Sequence, residues 1–380
     1  SHCTVSSHYP LILHAGAMMQ EVPSSFKRMV AARAGESVRA VATIQKTATP
    51  ELGEGEVLVR VMAAGINGGC DTFKARGERA FAGLKNVTNY KLGSEGAGIV
   101  LCCGPGTQLQ PGDAVAFVGS AFSEVDIVKE SSCHCFGKAS NQTPKSYRET
   151  AALRISGLTA LVALELTGEI QQGQTVLITA AAGGTGHFAV QIAKFNGACV
   201  IATCGSEEKA KVLCDLGADR VVVHSQEDLS KVLDNEFPEG LDLVYEGVGG
   251  KMHTTALAHL KPGGRQLQVG YISHYPNAAG KDEDANQGET LAEAFWTGKT
   301  WALPDNKTVY FNVWAGMKRT THSEAPGGKP LTRLFNLWLT GDLRALVDQK
   351  EFVGLEKAPD AVEYMLSGKS IGKVVLDLSG

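Results

Sequence analysis

Residues 175–194 read TVLITAAAGGTGHFAVQIAK: a short apolar run, a cluster of small residues, then a helix-patterned stretch. Gly183, Gly184 and Gly186 carry no Cβ to hold a ligand off, so the backbone there can approach a pyrophosphate closely. A helix starting at this point would aim its unpaired N–H groups, and the positive end of its dipole, at the same phosphates. The spacing departs from G-x-G-x-x-G, so the assignment depends on context, a strand before the glycines and a helix after them.

A second test lies about 20 residues further on, where an NAD-preferring fold places Asp or Glu against the ribose hydroxyls. Here the stretch is VIATCGSEEKAK, and Thr203, Cys204 and Gly205 carry no charge. Glu207 and Glu208 fit the first turn of a helix capped by Ser206. Ser206 and Lys209 are then left to receive a 2′-phosphate, which points to NADPH as the cofactor.

The elements that must position these groups fall into two sets. From Lys27 to about Val128, short runs rich in Val, Ile and Phe (VRAVATI, EVLVRVMAAG, AGIVLCC, DAVAFVG, FSEVDIV) alternate with Gly- and Pro-containing turns, which predicts a β-rich domain. From RETAALRISGLTALVALELTG onward the pattern becomes helical, then alternates. TVLITA, ACVIAT, DRVVV, LDLVYE and RQLQVG read as strands separated by helices, and KTVYFNV (307–313) as a sixth strand. Alternating units of this kind form a parallel sheet covered on both faces. The run Lys281–Asp284 reads as a solvated loop, and the final KVVLDL as a strand returning to the first domain.

The chain has 380 residues, room for two domains, with 43% apolar residues, 44 glycines and a net charge of −4. That balance offers no general attraction to nucleic acid or anionic membrane, and small-molecule chemistry is favoured. No uninterrupted apolar run approaches the roughly 18 residues of a membrane span. Nine scattered cysteines suit a reducing compartment, cytoplasmic or an organelle lumen such as that of a mitochondrion, plastid or peroxisome. Cys102 and Cys103 should face opposite ways in a strand. Cys133 and Cys135 form C-x-C without the second half of a zinc site. Residues 1–25 read as an N-terminal extension.

GINGGCDTFKARG, KLGSEGAGIV, ISGLTALVAL, TAAAGGTGHFAVQIAK, GSEEKAKVLCDLGADRV, EGLDLVYEGVGG, VGYISHY and the tail GKSIGKVVL occur in this order. Together they resemble the zinc-independent medium-chain dehydrogenases/reductases, in the branch of the quinone oxidoreductases and prostaglandin reductases. The resemblance implies a GroES-like catalytic domain (26–152 and 331–380) and a Rossmann domain (153–330), with cofactor and substrate in the cleft between them. It assigns Gly184, Thr185, Gly186 and His187 to the pyrophosphate turn and Lys209 to the 2′-phosphate. Gly247 falls beside the cofactor ribose, Tyr275 near the nicotinamide, and Phe311 and Asn312 where backbone meets the carboxamide. It also implies a homodimer, for which KTVYFNV is a candidate pairing strand. Three positions depart from the family pattern: His224 stands where a tyrosine is usual, Ser370 where an asparagine is common, and Asn67–Asp71 is one residue longer than N-x-x-D.

Zinc-dependent relatives need Cys and His ligands around an open metal position. Asn67 stands where the first Cys would be, and Gly93-Ser94-Glu95 replaces G-H-E, so no metal is expected. Glu95 reads as a brace of the fold. Without a Lewis acid, an activated C=C bond is a more tractable hydride acceptor than a plain carbonyl. Such a site needs only orientation and donors for the developing enolate, which Tyr275, Asn67 and backbone N–H groups could supply. The sequence therefore predicts an NADPH-dependent reductase of α,β-unsaturated ketones, 15-oxo-prostaglandin-like or related. A quinone reductase and a non-catalytic nucleotide-binding protein are the alternatives.

Overall fold

The computed structural model describes residues 21–279, 285–311, 313 and 328–380. Two sheet systems flank one long helix. In the first system, a sheet that is antiparallel except for its first pair runs Phe352–Val353, Val375–Asp377, Glu56–Gly65, Glu95–Cys103, Asp113–Val118, Cys133–Lys138, and Val125–Lys129 pairs with the long 56–65 strand. A three-stranded sheet (Ala42–Ala48, Ser25–Ala31, Tyr90–Lys91) lies beside it. The tail strand 375–377 pairs antiparallel with residues 63–65, so the chain end does return to the first sheet system.

VRAVATI is only partly a strand. Ser37 accepts from the Ala40 N–H at 3.2 Å and caps a helical turn over Val38–Val41, and the strand starts at Ala42. A serine one residue before the apolar run outcompetes the β-propensity of the valines. Cys102 and Cys103 pack against two different apolar clusters on opposite faces of their strand.

The second system is a seven-stranded sheet in the order Arg220–Val223, Cys199–Cys204, Thr175–Ile178, Leu241–Glu246, Leu260–Gln268, Thr308–Phe311, Thr300–Ala302. All neighbours are parallel except the last pair. Strand order reverses beside 175–178, the place where doubly wound sheets open a crevice for ligands. The 308–311 strand has neighbours on both sides, which corrects its candidacy as a subunit-pairing edge. The edge belongs to Thr300–Ala302. Lys281–Asp284 and Asn312 lie outside the described residues.

Between the sheets runs the helix Pro144–Thr167. Over 24 residues it is long and apolar enough to cross a bilayer, but 78% of its apolar window is buried inside the protein, where it joins the largest core cluster. Thr143 and Ser146 form a capping box at its start. The helix widens to π turns at Leu153–Gly157 and Val162–Thr167. Such turns release backbone N–H groups from the helical ladder, and one release matters at the site.

Candidate active site

Strand 175–178 ends at Thr179, and the chain reverses through Ala180 in a left-handed conformation (φ +46°). The Gly183 N–H donates to Ala180 O at 2.9 Å. A Cβ on Gly186 would lie 2.5 Å from Ala180 O and 2.7 Å from Ala181 Cα, so the turn closes on itself only with glycine there. Helix Gly186–Phe195 starts at this point, with Thr185 as its cap residue, and the resulting cradle fits a dinucleotide pyrophosphate.

His187 departs from its assignment. Its ring is fully buried; Nδ1 bonds Gly183 O at 2.9 Å, and Nε2 accepts from the Leu346 N–H at 3.1 Å. The second bond requires the Nδ1–H tautomer, and burial pushes the imidazole down to about 4. Both ring nitrogens are thus engaged within the protein, tying the turn to the 346 segment.

At the end of the second strand, Ser206 Oγ accepts from the Lys209 N–H at 3.4 Å and caps helix Glu207–Asp215. Lys209 Nζ reaches the Gly368 carbonyl at 2.5 Å, and partial burial lowers its pKa, so an incoming anion would stabilise its charge. The His224 ring lies over Gly205, where a Cβ would meet it at 3.4 Å. Ser370 is buried next to Ile371, whose N–H donates to Asp348. Lys209, His224 and the 368–370 segment thus converge on the uncharged strand end.

The loop after the fourth Rossmann strand is held by Glu246, which the sequence reading missed. This fully buried carboxylate accepts from Thr179 Oγ1 (3.0 Å), the Val248 and Gly249 N–H groups (2.8 and 2.9 Å) and Gln268. Gly247 N–H donates to Thr179 Oγ1 at 2.9 Å. An acidic residue closing the apolar run LDLVYE was the available signal. Phe311 turns its ring into a satellite core against Trp301, leaving only its backbone at the strand end.

Tyr275 sits 6% exposed among Phe73 and Tyr271, whose rings it meets edge-on at 5.2 and 4.8 Å. Gly69 and Gly270 leave room around its hydroxyl; a Cβ would come within 3.1 and 3.6 Å of Oη. Burial raises its pKa well above the ordinary phenol value, so at neutral pH the group is an O–H donor.

The site centre is an ionic cluster. Lys373 Nζ, with the residue 2% exposed, lies 2.7 Å from Glu95 Oε1, 2.8 Å from Asn67 Oδ1 and 2.8 Å from Ser156 Oγ. Glu95 Oε2 accepts the Ile155 N–H at 2.6 Å, inside the first π turn. Arg154, also buried, adds a second cation next to Glu95. Asn67 Nδ2 donates to Glu95 Oε1 (2.8 Å) and Gly65 O (3.3 Å), so both amide hydrogens are engaged within the protein. This corrects Asn67 as an enolate donor: it orders the cluster. Asp71 Oδ2 accepts the Asn67 N–H at 2.7 Å and Oδ1 the Ser94 hydroxyl at 3.0 Å, and burial pushes its carboxyl up to about 6. The extra residue in Asn67–Asp71 therefore leaves Asp71 bound back to Asn67, at the start of helix Gly68–Arg76.

Comparison with known proteins agrees with this architecture. Residues 53–160 match the alcohol dehydrogenase GroES-like domain and residues 184–301 the zinc-binding dehydrogenase family. The chain is 33% identical to prostaglandin reductase-3 of Mus musculus, over 94% of this chain and 90% of the relative. It is 33% identical to a probable quinone oxidoreductase of Leishmania amazonensis, over 94% and 99%. Escherichia coli quinone oxidoreductase, solved with NADPH, superposes with a TM-score of 0.74 at 25% identity, over 92% and 99% of the chains.

The second family description invokes zinc, and the donors here do not fit it. Asn67 and Ser94 stand at the positions of Cys and His ligands, and Glu95 is taken up by the Lys373 ammonium. A thiolate- and imidazole-free set already neutralised by an ammonium is a poor zinc site. Fold, turn and cluster together place the chain in the medium-chain dehydrogenase/reductase superfamily, as an oxidoreductase of the branch that holds the quinone oxidoreductases and prostaglandin reductases.

Proposed function

We propose that this protein is an NADPH-dependent reductase of the activated C=C bond of α,β-unsaturated ketones, 15-oxo-prostaglandin-like or related. The observation that carries the reading is the Asn67–Glu95–Lys373 cluster. It fills the place of a Lewis acid with a spent ammonium, and so favours an acceptor that delocalises its own charge.

Bound NADPH would supply the hydride. Gly184, Thr185 and Gly186 would cradle its pyrophosphate, and Ser206 and Lys209 its 2′-phosphate, with His224 and Ser370 alongside. Gly247 and the Phe311 backbone would flank the nicotinamide half. As hydride reaches the β-carbon of the acceptor, negative charge moves to the conjugated oxygen, and the Tyr275 O–H would be the side-chain donor that meets it. The Phe73–Tyr271–Tyr275 rings exclude water from one side of that charge. Either Tyr275 or solvent then completes the reduction by protonating the enolate.

Quinone reduction is the second reading, favoured by the names of the Leishmania and Escherichia coli proteins, and it asks less of the chain because the cofactor carries the chemistry. The test is to mix the protein with NADPH and panels of enones and quinones and to follow the absorbance of the reduced cofactor. Faster consumption with enones supports the first reading, and faster consumption with quinones the second. No consumption with any conjugated acceptor refutes both. A homodimer belongs to the same reading, with the Thr300–Ala302 edge as its pairing strand; sedimentation at micromolar concentration checks it.

A further inference from the structure

The three N–H groups of the Lys373 ammonium are matched by three oxygens at 2.7–2.8 Å, from Glu95, Asn67 and Ser156. The Ser156 hydroxyl is 2% exposed and takes one of these N–H groups on its oxygen, so its own proton is directed away from the ammonium. The nearest feature on the cofactor side is the glycine turn. A Cβ on Gly184 would meet Lys373 Cδ at 3.3 Å and Ser156 Oγ at 3.8 Å. The turn is also tied to this segment by the Gly372 N–H, which donates to Ala182 O at 2.8 Å. Lys373 is paired with Glu95, and Arg154, buried two residues before Ser156, donates to Ser132 O at 3.3 Å.

We propose that Ser156 is a phosphate-side contact to the dinucleotide, contributed from the long helix outside the glycine turn, and that Lys373 is its positioning residue. The proposal rests on the NADPH reading above. An ammonium that donates to a hydroxyl polarises it and strengthens the bond its O–H makes onward. The same distances put the lysine stem and this hydroxyl directly beside the Gly184 backbone.

The test is a pair of titrations, NADPH followed by its nicotinamide fluorescence and adenosine 2′-monophosphate, which lacks the pyrophosphate, followed by calorimetry. Ser156→Ala is expected to weaken NADPH about tenfold, as for loss of one hydrogen bond to a charged group, to leave the 2′-monophosphate unchanged, and to lower Tm by about 2–8 °C because one Lys373 N–H loses its acceptor. Lys373→Met alone strands Glu95 and endangers folding, so the informative variant is Lys373→Met with Glu95→Gln, which removes both buried charges. It is expected to fold and to lose NADPH affinity at least as far as Ser156→Ala. Adding Ser156→Ala to it should cause little further loss, because the two residues act as a unit. Wild-type NADPH affinity in Ser156→Ala or in the double variant overturns the proposal, and so does equal weakening of both ligands. A wild-type protein that prefers NADH refutes the cofactor reading alone; the same variants titrated with NADH against adenosine then decide the contact.

Discussion

Replacing Gly186 by alanine is the sharpest small perturbation of the cofactor turn. The new Cβ would stand 2.5 Å from Ala180 O and 2.7 Å from both Ala181 Cα and Ala181 O, all backbone atoms. Nothing flexible can yield. The turn must open, which displaces the Ala180 carbonyl that accepts the Gly183 N–H at 2.9 Å. Overpacking of this kind plus one strained hydrogen bond costs about 2–4 kcal/mol. For a domain of this size that lowers Tm by about 5–10 °C. Because the moved atoms are those proposed to approach the pyrophosphate, NADPH affinity should fall by at least about tenfold, or about 1.4 kcal/mol. Gly183→Ala is the control: its Cβ would meet one atom, Ala180 O, at 3.2 Å. It should cost under about 1 kcal/mol and leave affinity within about threefold. Thermal unfolding and fluorescence titration read both effects. Equal damage from the two substitutions, or a Gly186→Ala protein with wild-type Tm and affinity, would refute the steric account of the turn.

Lys209→Ala should weaken NADPH by about 10- to 100-fold and leave NADH nearly unchanged, since a charged partner to the 2′-phosphate is lost; equal affinities for both cofactors in wild type and variant would rule it out. Burial raises the Asp71 carboxyl from 3.8 to about 6. The folded protein therefore keeps, across about pH 4–6, a proton that the unfolded chain has released, and stability falls as pH rises through that window. Asp71→Asn should flatten that part of a stability–pH profile measured by denaturant titration. His187→Ala leaves the Leu346 N–H without its partner, while Gly183 O keeps the backbone N–H of residue 187, and opens a void, at a cost of about 3 kcal/mol. Turnover at saturating NADPH should survive it, and a complete loss of activity in folded protein would return His187 to the ligand-binding set.

Much of this arrangement was legible in the sequence because local patterns decide it. Five apolar runs alternating with helices dictate a parallel sheet, and a glycine cluster after the first of them falls at the strand-order reversal. Ser206 before two glutamates dictates a capped helix, Glu207–Asp215. The ionic centre was hidden for a different reason. Asn67, Glu95, Ser156 and Lys373 are spread over some 300 residues, and only tertiary contact joins them. Lys373 read as part of a tail strand, since nothing around GKVVL shows that its side chain points inward. Whether Asn67 had hydrogens to spare for a substrate depended on partners that sequence does not show. The same holds for His187, whose backbone position suits the turn while its ring serves the 346 segment behind it. The free edge of the Rossmann sheet was misplaced because Thr300–Ala302 is a three-residue strand, too short for periodicity to reveal.

The central claim is that hydride goes to carbon in a conjugated C=C bond. Its most direct measurement uses NADPH deuterated at the transferable position, an α,β-unsaturated ketone and mass and NMR analysis of the product. A saturated ketone with one deuterium on the former β-carbon is the predicted result. Deuterium on the carbinol carbon of an allylic alcohol would contradict it, and would require an electrophile at the carbonyl that the Asn67–Glu95–Lys373 cluster does not provide.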